Sequence, residues 1–177
     1  MSKPERIAVL SPEQLTFAQD FFSAALQYLH KPFVNHAATV RCGSRPRTYP
    51  GCMEIGLGPE GYDCSGLVIR ALADVTGISE TDWADGIRHV GQMSRKATRV
   101  TLSSVGPRHD YPIGLPFVYD HVQPDLRIPS AHIGIYAGNG QLLHARSRGT
   151  NRVALDVLRT RATSKRFAFA IDPSSLL

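Results

Sequence analysis

The sequence predicts an α+β fold in which helices precede an antiparallel β-sheet. Apolar residues recur at helical spacing in two segments of the first half of the chain. In the second half, alternating apolar segments flank Gly138-Asn139-Gly140, a composition typical of a hairpin turn. Because the helical and extended segments are separate in sequence, we expect the helices to pack on one antiparallel sheet rather than alternate with parallel strands.

The first helix is predicted over residues 12–29. Ser11 can cap the helix, Pro12 suits its first position, and Gln14 lies three residues after the cap, where it can complete a capping box. Apolar side chains from Leu15 to Leu29 then recur every three or four residues, which predicts one buried helix face.

The second helix is predicted to begin at Cys64. Asp63 is a favourable N-cap, and Gly77 is a favourable residue for the helix end. The apolar stripe between them consists of Leu67, Val68, Ala71, Leu72 and Val75. Residues 34–62 are rich in proline and glycine, and they are predicted to form a loop insertion between the two helices.

The second half is predicted to consist mainly of strands and loops. Residues 78–110 are expected to form a loop with one short helix near 82–93, and residues 120–130 a second insertion. Strands are predicted near 115–120, 132–137, 141–145, 152–158 and 166–171.

Length and composition indicate one globular domain over residues 1–177, with a core over about 12–171. Hydrophobic residues make up 42% and charged residues 20% of the 177 residues, which excludes a disordered chain. No apolar run approaches the ~18–20 residues of a membrane span. The net charge is +5, but the cations are dispersed without alternating aromatic residues, so no nucleic-acid partner is expected.

The three cysteines exclude a complete disulfide framework. Cys42 and Cys52 are either free thiols or one loop disulfide, and their spacing predicts no metal site. No cofactor is expected. Cys64 differs because the first turn of a helix supplies positive partial charge and N–H groups, which together with an imidazolium should lower the pKa of a thiol well below 7.

Small residues follow Cys64, and its position alone is equally compatible with a reactive and with a merely structural thiol. Ser65 and Gly66 would let a substrate carbonyl approach the backbone donors, among them the Cys64 amide, as an oxyanion site requires. The alternative is a buried, inert cysteine, since free cysteine is among the most buried residue types.

Two histidines on the predicted hairpin are candidates for acid–base chemistry. A two-residue turn would pair residue 138 with 141 and place His132 and His144 on opposite faces of the sheet. A three-residue turn pairs 137 with 141, which places both histidines on one face, diagonal to each other. We favour this turn because Gly140 suits its left-handed position; otherwise the two are surface histidines.

Two boxes resemble the NlpC-type cysteine peptidases, which are papain-like cell-wall hydrolases. They are Tyr62-Asp63-Cys64-Ser65-Gly66-Leu67-Val68, and His132-Ile133-Gly134-Ile135-Tyr136-Ala137-Gly138-Asn139-Gly140 with Leu143-His144-Ala145. The resemblance implies a papain-like fold, with N-terminal helices and the Cys64 helix packed on a central antiparallel sheet. It also implies that Cys64 is the nucleophile, His132 the general base and His144 the residue that orients it.

The substrate side of the site departs from the family pattern. Where the family has a tyrosine before the cysteine, this chain has Phe33, so Tyr49 or Tyr62 is a candidate replacement. Tyr62, Phe33, Ser65 and Asp63 are therefore the candidate substrate or oxyanion residues. The Gly-Asp-Leu before the first histidine strand is represented only by Gly114-Leu115-Pro116, without the aspartate.

The resemblance implies a cysteine endopeptidase that hydrolyses peptidoglycan stem peptides, commonly between D-glutamate and the diamino acid. The alternatives are an amidase or acyltransferase with the same three residues, or a non-catalytic cell-wall-binding module. The N-terminus contains only four consecutive apolar residues, too few for a secretory signal. We therefore expect a protein that is made in the cytoplasm and reaches the wall by a dedicated secretion machine or a phage particle, unless its leader is absent from this sequence. We also expect it to be a monomer. An inhibitor or immunity protein is a further expected partner.

Overall fold

A computed structural model of the chain describes residues 10–33, 41–42, 45–46, 62–78, 90, 93, 96–100, 111–121, 130–146, 151–157 and 167–177. In chain order these contain α1 (Pro12–Leu26), β1 (Arg41–Cys42), β2 (Arg45–Pro46), α2 (Cys64–Thr76), β3 (Arg99–Val100), β4 (Pro116–His121), β5 (Ser130–Gly138), β6 (Gln141–Arg146), β7 (Arg152–Val157), β8 (Phe167–Ile171) and a 3-10 helix (Pro173–Leu176). The predicted α+β class is confirmed.

The six strands β3 to β8 form one antiparallel sheet in the order β3-β8-β4-β5-β6-β7. Alternate residues on one face join α1 and α2 in the main core; these are Val118, Ile133, Ile135, Leu143, Ala145, Val153 and Ile171. On the other face, the Phe117 ring stacks on the Tyr136 ring at 5.0 Å between centroids. The helices therefore cover one face of the sheet, as predicted for the Cys64 helix.

The first helix begins as predicted but ends earlier. Ser11 and Gln14 form the complete capping box at its start. The helix stops at Leu26 rather than at residue 29, and residues 27–30 form turns closed by hydrogen bonds between residues three apart. Pro32 disfavours helical conformation at Lys31, so the chain leaves these turns in an extended segment.

That extended segment pairs with the start of β7. The Val153 N–H donates to the Lys31 carbonyl at 2.8 Å, and the His30 N–H donates to the Val153 carbonyl at 2.9 Å. The Phe33 N–H donates to the Asn151 carbonyl, also at 2.9 Å. His30 adopts a left-handed conformation, with φ of 72°, where the chain turns into this segment.

Several predicted boundaries in the loops need correction. Asp120 and His121 pair with Ala131 and Ser130, so both ends of the predicted 120–130 insertion belong to the β4–β5 ladder. The predicted 34–62 loop includes the paired strands β1 and β2. Arg99 and Val100 form β3, where only loop was predicted.

Other predictions lie partly or wholly outside the described residues. Val90 and Met93 are helical, as is Lys96 beyond the predicted 82–93 helix, whose remaining residues are not described. Residues 122–129 and most of 34–61 are also outside, and with them Tyr49 and any Cys42–Cys52 bond. No helix in the described part of the chain has the length and apolar character needed to cross a membrane.

The hairpin between β5 and β6 has a tighter turn than predicted. Its two histidines nevertheless lie on one face of the sheet, as predicted. Gly138 pairs with Gln141, so the pairing of 137 with 141 is wrong. Asn139 and Gly140 both have positive φ, 50° and 68°, which suits a two-residue turn. A register shift between Tyr136 and Gly138 then inserts one residue, and the left-handed Gly138 (φ 83°) accommodates this bulge.

Gly114 allows β4 to approach α1. It has φ of 93°, and a Cβ added there would lie 1.8 Å from the Ala18 carbonyl oxygen. Gly77 is a matched position, because its φ is 70° and no atom lies within 4 Å of a Cβ added there. We expect Gly114→Ala to lower the free energy of unfolding by about 2–4 kcal/mol and Gly77→Ala by about 1 kcal/mol. Urea unfolding of both variants measures the difference; equal losses would contradict the close approach.

Candidate active site

The start of α2 is organised by its N-cap. The Asp63 carboxylate accepts hydrogen bonds from the Gly66 N–H at 2.7 Å and from the Ser65 hydroxyl at 3.0 Å. Ser65 and Gly66 are buried, whereas Cys64 retains partial exposure. Because capping uses the Gly66 amide, the first-turn donors near the sulfur are the N–H groups of Cys64 and Ser65.

The Cys64 thiol lies against β5. Its sulfur is within hydrogen-bonding range of the backbone N–H of Ile133, the residue directly after His132. Registered pairing between β5 and β6 runs only from Gly138–Gln141 to Ile135–Leu143, whereas the β4–β5 ladder continues to Ser130. The start of α2 thus meets the sheet where the hydrogen-bonded pairing of β5 with β6 has ended.

The structure corrects the predicted acidity of the thiol. Burial, and to a smaller extent the Asp63 carboxylate, raise the pKa of the Cys64 thiol to about 12. The N–H groups of Ile133, Ser65 and Cys64 stabilise the thiolate and oppose this rise. The helix N-terminus does favour the thiolate, but it does not compensate for the removal of the sulfur from water.

His132 and His144 are in direct contact. The Nε2 atom of His132 lies 2.8 Å from Nδ1 of His144, and the two rings meet edge to face. The bulge at Gly138 places both on one face of the sheet, diagonal to each other, as predicted. Gly134 lies opposite His144, and a Cβ added there would be 3.0 Å from the His144 Cβ, so this position suits glycine.

Asp156 extends this contact and was missed in the sequence analysis. Its Oδ2 atom lies 2.9 Å from Nε2 of His144. Asp156 pairs with Leu142 across β6 and β7, which puts it diagonal to His144 on the same face. The sequence does show one carboxylate among the apolar residues that follow Arg152 in this strand. The β6–β7 register needed to connect it to His144, however, depends on a loop whose length does not define a turn.

The other predicted site residues lie near the start of α2. Tyr62 is buried, and its ring meets the Tyr28 ring edge-on at 4.9 Å. Phe33 forms a β-bridge with Tyr62, and the Tyr62 N–H donates to the Pro32 carbonyl at 2.9 Å. Tyr62 and Phe33 are thus adjacent, while Asp63 and Ser65 are occupied in the helix cap.

We refer to His132, His144 and Asp156 as the imidazole–carboxylate series. It begins at His132, one residue before the backbone N–H that contacts the Cys64 sulfur, so the two imidazoles and the carboxylate start on β5 next to the position where α2 brings the thiol to the sheet. This order is suited to nucleophilic catalysis, in which a base removes the thiol proton and a further group orients the base. Within the described residues, no group of three or more His, Cys, Asp and Glu side chains is arranged to hold a metal ion.

Comparisons with known proteins define the class of fold. No family model matches the sequence, and no curated protein matches it. Among solved structures, the chain is similar to the P60 domain of an antigen from Mycobacterium avium subspecies paratuberculosis, with a TM-score of 0.57 and 18% identity, covering 91% of this chain and 97% of that domain.

The chain is also similar to the peptidoglycan hydrolase RipB of Mycobacterium tuberculosis (TM-score 0.55, 19% identity, 97% of this chain and 72% of that one). A third similar structure is an NLP/P60-family, lipoprotein-like protein of Staphylococcus aureus, with a TM-score of 0.55 and 17% identity. The match covers 96% of this chain and 44% of that protein. The chain spans less than half the length of that protein and of NlpC1 from Trichomonas vaginalis. The predicted resemblance is confirmed at the level of the fold, which is the NlpC/P60 fold.

The cause of the raised thiol pKa can be tested at Asp63. In Asp63→Asn the helix cap is retained because asparagine is an equally good N-cap, but the negative charge beside the sulfur is lost. We expect a lower thiol pKa and therefore several-fold faster alkylation of Cys64 by iodoacetamide at pH 8–9. Asp74→Asn, which removes a charge near the other end of α2, is the control. An unchanged or slower rate in Asp63→Asn would contradict the assigned electrostatics.

Proposed function

We propose that this protein is a cysteine peptidase that hydrolyses peptidoglycan stem peptides, with the bond between D-glutamate and the diamino acid as the candidate bond. The observation that carries the proposal is the position of the Cys64 sulfur beside the residue that follows His132, at one end of the imidazole–carboxylate series. The NlpC/P60 fold supports it, because similar structures include the peptidoglycan hydrolase RipB.

In the proposed reaction, His132 acts on a protonated thiol. A thiol whose pKa is raised to about 12 is almost entirely protonated at neutral pH, so attack requires a base that removes the proton as the S–C bond forms. His132 accepts that proton, and the developing imidazolium is stabilised through His144. The sulfur attacks the substrate carbonyl carbon, and the carbonyl π electrons move to its oxygen.

The oxyanion formed in this step faces the start of α2. The N–H groups of Cys64 and Ser65 are suitable donors to it, and the positive end of the helix dipole adds to their effect. His132 then returns the proton to the leaving amine, which departs and leaves an acyl-enzyme. Water, deprotonated by the same imidazole, hydrolyses this thioester and regenerates the thiol.

A non-catalytic binding module is the second candidate function, and one observation favours it. The raised pKa of the Cys64 thiol is what an inert, buried cysteine would show. We favour the peptidase because a purely structural cysteine does not account for two imidazoles and a carboxylate joined by contacts of 2.8 and 2.9 Å.

The cellular context belongs to the same proposal. The substrate lies in the cell wall, so the protein acts there after delivery by a secretion machine, a phage particle or a leader outside this sequence. Its net charge of +5 suits an anionic wall polymer. An inhibitor or immunity protein would protect the producing cell.

The test is digestion of muropeptides of known stem composition, with the products identified by mass spectrometry. We expect the unmodified protein to cleave one stem-peptide bond and Cys64→Ala to lose at least about 10³-fold in rate, because nucleophilic attack is abolished. His30→Asn is the matched control: His30 is an exposed histidine with positive φ, which asparagine tolerates, so its activity should be unchanged.

Four outcomes would contradict parts of the proposal. Equal cleavage by Cys64→Ala would exclude a thiol mechanism. Cleavage of the amide bond that joins the peptide to the sugar would indicate an amidase with the same residues. Transfer of the acyl group to an added amine would indicate an acyltransferase with the same residues. Binding of muropeptides without any cleavage, together with a Cys64 that resists iodoacetamide, would favour the binding module.

A further inference from the structure

We propose that Asp156 is a positioning residue that determines which ring nitrogen of His132 carries a proton. The inference rests on the proposed function, because it concerns how His132 becomes able to accept the Cys64 proton. It is carried by two contacts, 2.9 Å from Asp156 Oδ2 to His144 Nε2 and 2.8 Å from His144 Nδ1 to His132 Nε2.

The strand registers make the series continuous. Asp156 on β7 lies two positions from Ala154, which pairs with His144 on β6. Extending the last β5–β6 pair, Ile135–Leu143, by one residue puts Gly134 opposite His144, two positions from His132 on β5. All three side chains share one face of the sheet, and successive members are diagonal neighbours. The His144 side chain is 14% exposed and that of Asp156 is 32% exposed, so the series runs from the edge of the solvent into the site.

The donor at each contact follows from the carboxylate. An ionised carboxylate has only acceptor atoms, so the contact with Asp156 requires a proton on Nε2 of His144. When His144 is neutral, its Nδ1 then carries a lone pair and can only accept. The 2.8 Å contact therefore requires a proton on Nε2 of His132.

The consequence is a defined tautomer of the proposed base. With its proton on Nε2, neutral His132 carries its lone pair on Nδ1, and this nitrogen can accept the thiol proton. The two imidazoles alone would be equally compatible with the reversed direction, in which His144 donates from Nδ1 and His132 is protonated on Nδ1. In that direction His132 has no lone pair available for the thiol. The carboxylate removes this ambiguity.

The carboxylate also stabilises the charge that forms. When His132 takes the thiol proton it becomes an imidazolium and still donates from Nε2 to His144, while Asp156 remains ionised and accepts from His144. Positive charge on His132 is thus opposed by a negative charge two contacts away. Stabilisation of the imidazolium relative to the neutral ring is the part of this arrangement that raises the rate of attack.

Asp156→Asn changes one atom and is expected to reverse the series. The asparagine side chain can donate its NH₂ group to Nε2 of His144, which would place the His144 proton on Nδ1 and the His132 proton on Nδ1. In the serine proteases the corresponding substitution lowers kcat about 10⁴-fold through the same change of tautomer. We expect Asp156→Asn to lower kcat at least about 10²-fold with little change in KM.

Asp156→Glu separates positioning from packing. Glutamate keeps an acceptor-only carboxylate but is longer, whereas asparagine keeps the shape of aspartate but can donate. We therefore expect Asp156→Glu to retain more activity than Asp156→Asn. A structural role for Asp156 predicts the opposite order, with the isosteric asparagine closer to the unmodified protein. Asp20→Asn, which removes an exposed carboxylate on α1, is the charge control and should be unchanged.

The tautomers can be read without substrate. Long-range ¹H–¹⁵N correlation spectra of ¹⁵N-labelled protein, recorded over a pH series, distinguish the protonated ring nitrogen of each histidine in its neutral form. We expect protons on Nε2 of both His132 and His144 in the unmodified protein, and on Nδ1 of both in Asp156→Asn. The same spectra show whether each variant is folded.

Two results would overturn the inference. One is a proton on Nδ1 of His144 in the unmodified protein, and the other is an unchanged pair of tautomers in Asp156→Asn. Because these measurements do not depend on hydrolysis, a protein that cleaves no muropeptide but shows the expected tautomers would refute the peptidase proposal while supporting the role of Asp156.

Discussion

The site depends on a single extra residue in the β5–β6 hairpin. Side chains alternate between the two faces of a strand, so a hairpin without the bulge at Gly138 would put His132 and His144 on opposite sides of the sheet. With the bulge, the two rings share a face and meet at 2.8 Å. The contact between His132 and His144 therefore depends on the backbone conformation of Gly138, six residues from each of them.

A second constraint is the interruption of pairing between β5 and β6 beyond Ile135 and Leu143. A continuous ladder would occupy the backbone of β5 near His132. Here the Ile133 N–H contacts the sulfur at the start of α2 instead. The helical and β layers thus meet at the Cys64 sulfur, and burial of this atom between them raises the pKa of the thiol.

Local chemistry explains what could be predicted from sequence. The capping residues Ser11 and Asp63, the helix end at Gly77 and the alternation of β5 are short-range features, and the helices and strands formed as they indicated. The early end of α1 depended on the chain after Pro32, and the strand β3 on pairing with a segment about seventy residues away. Asp156 was missed because its partner is defined by register across a loop, which no local pattern encodes. The thiol pKa was mispredicted because burial is a property of the assembled fold.

The segment after α1 has a consequence for the behaviour of the protein in concentrated solution. A strand at the edge of a sheet presents backbone donors and acceptors that can pair with the same edge of another molecule, which is a common route to aggregation. Residues 30–33 already occupy such groups at the start of β7. The start of this outer strand is thus a poor template for intermolecular pairing, and the segment that covers it is the same one that leads from α1 towards the Cys64 helix.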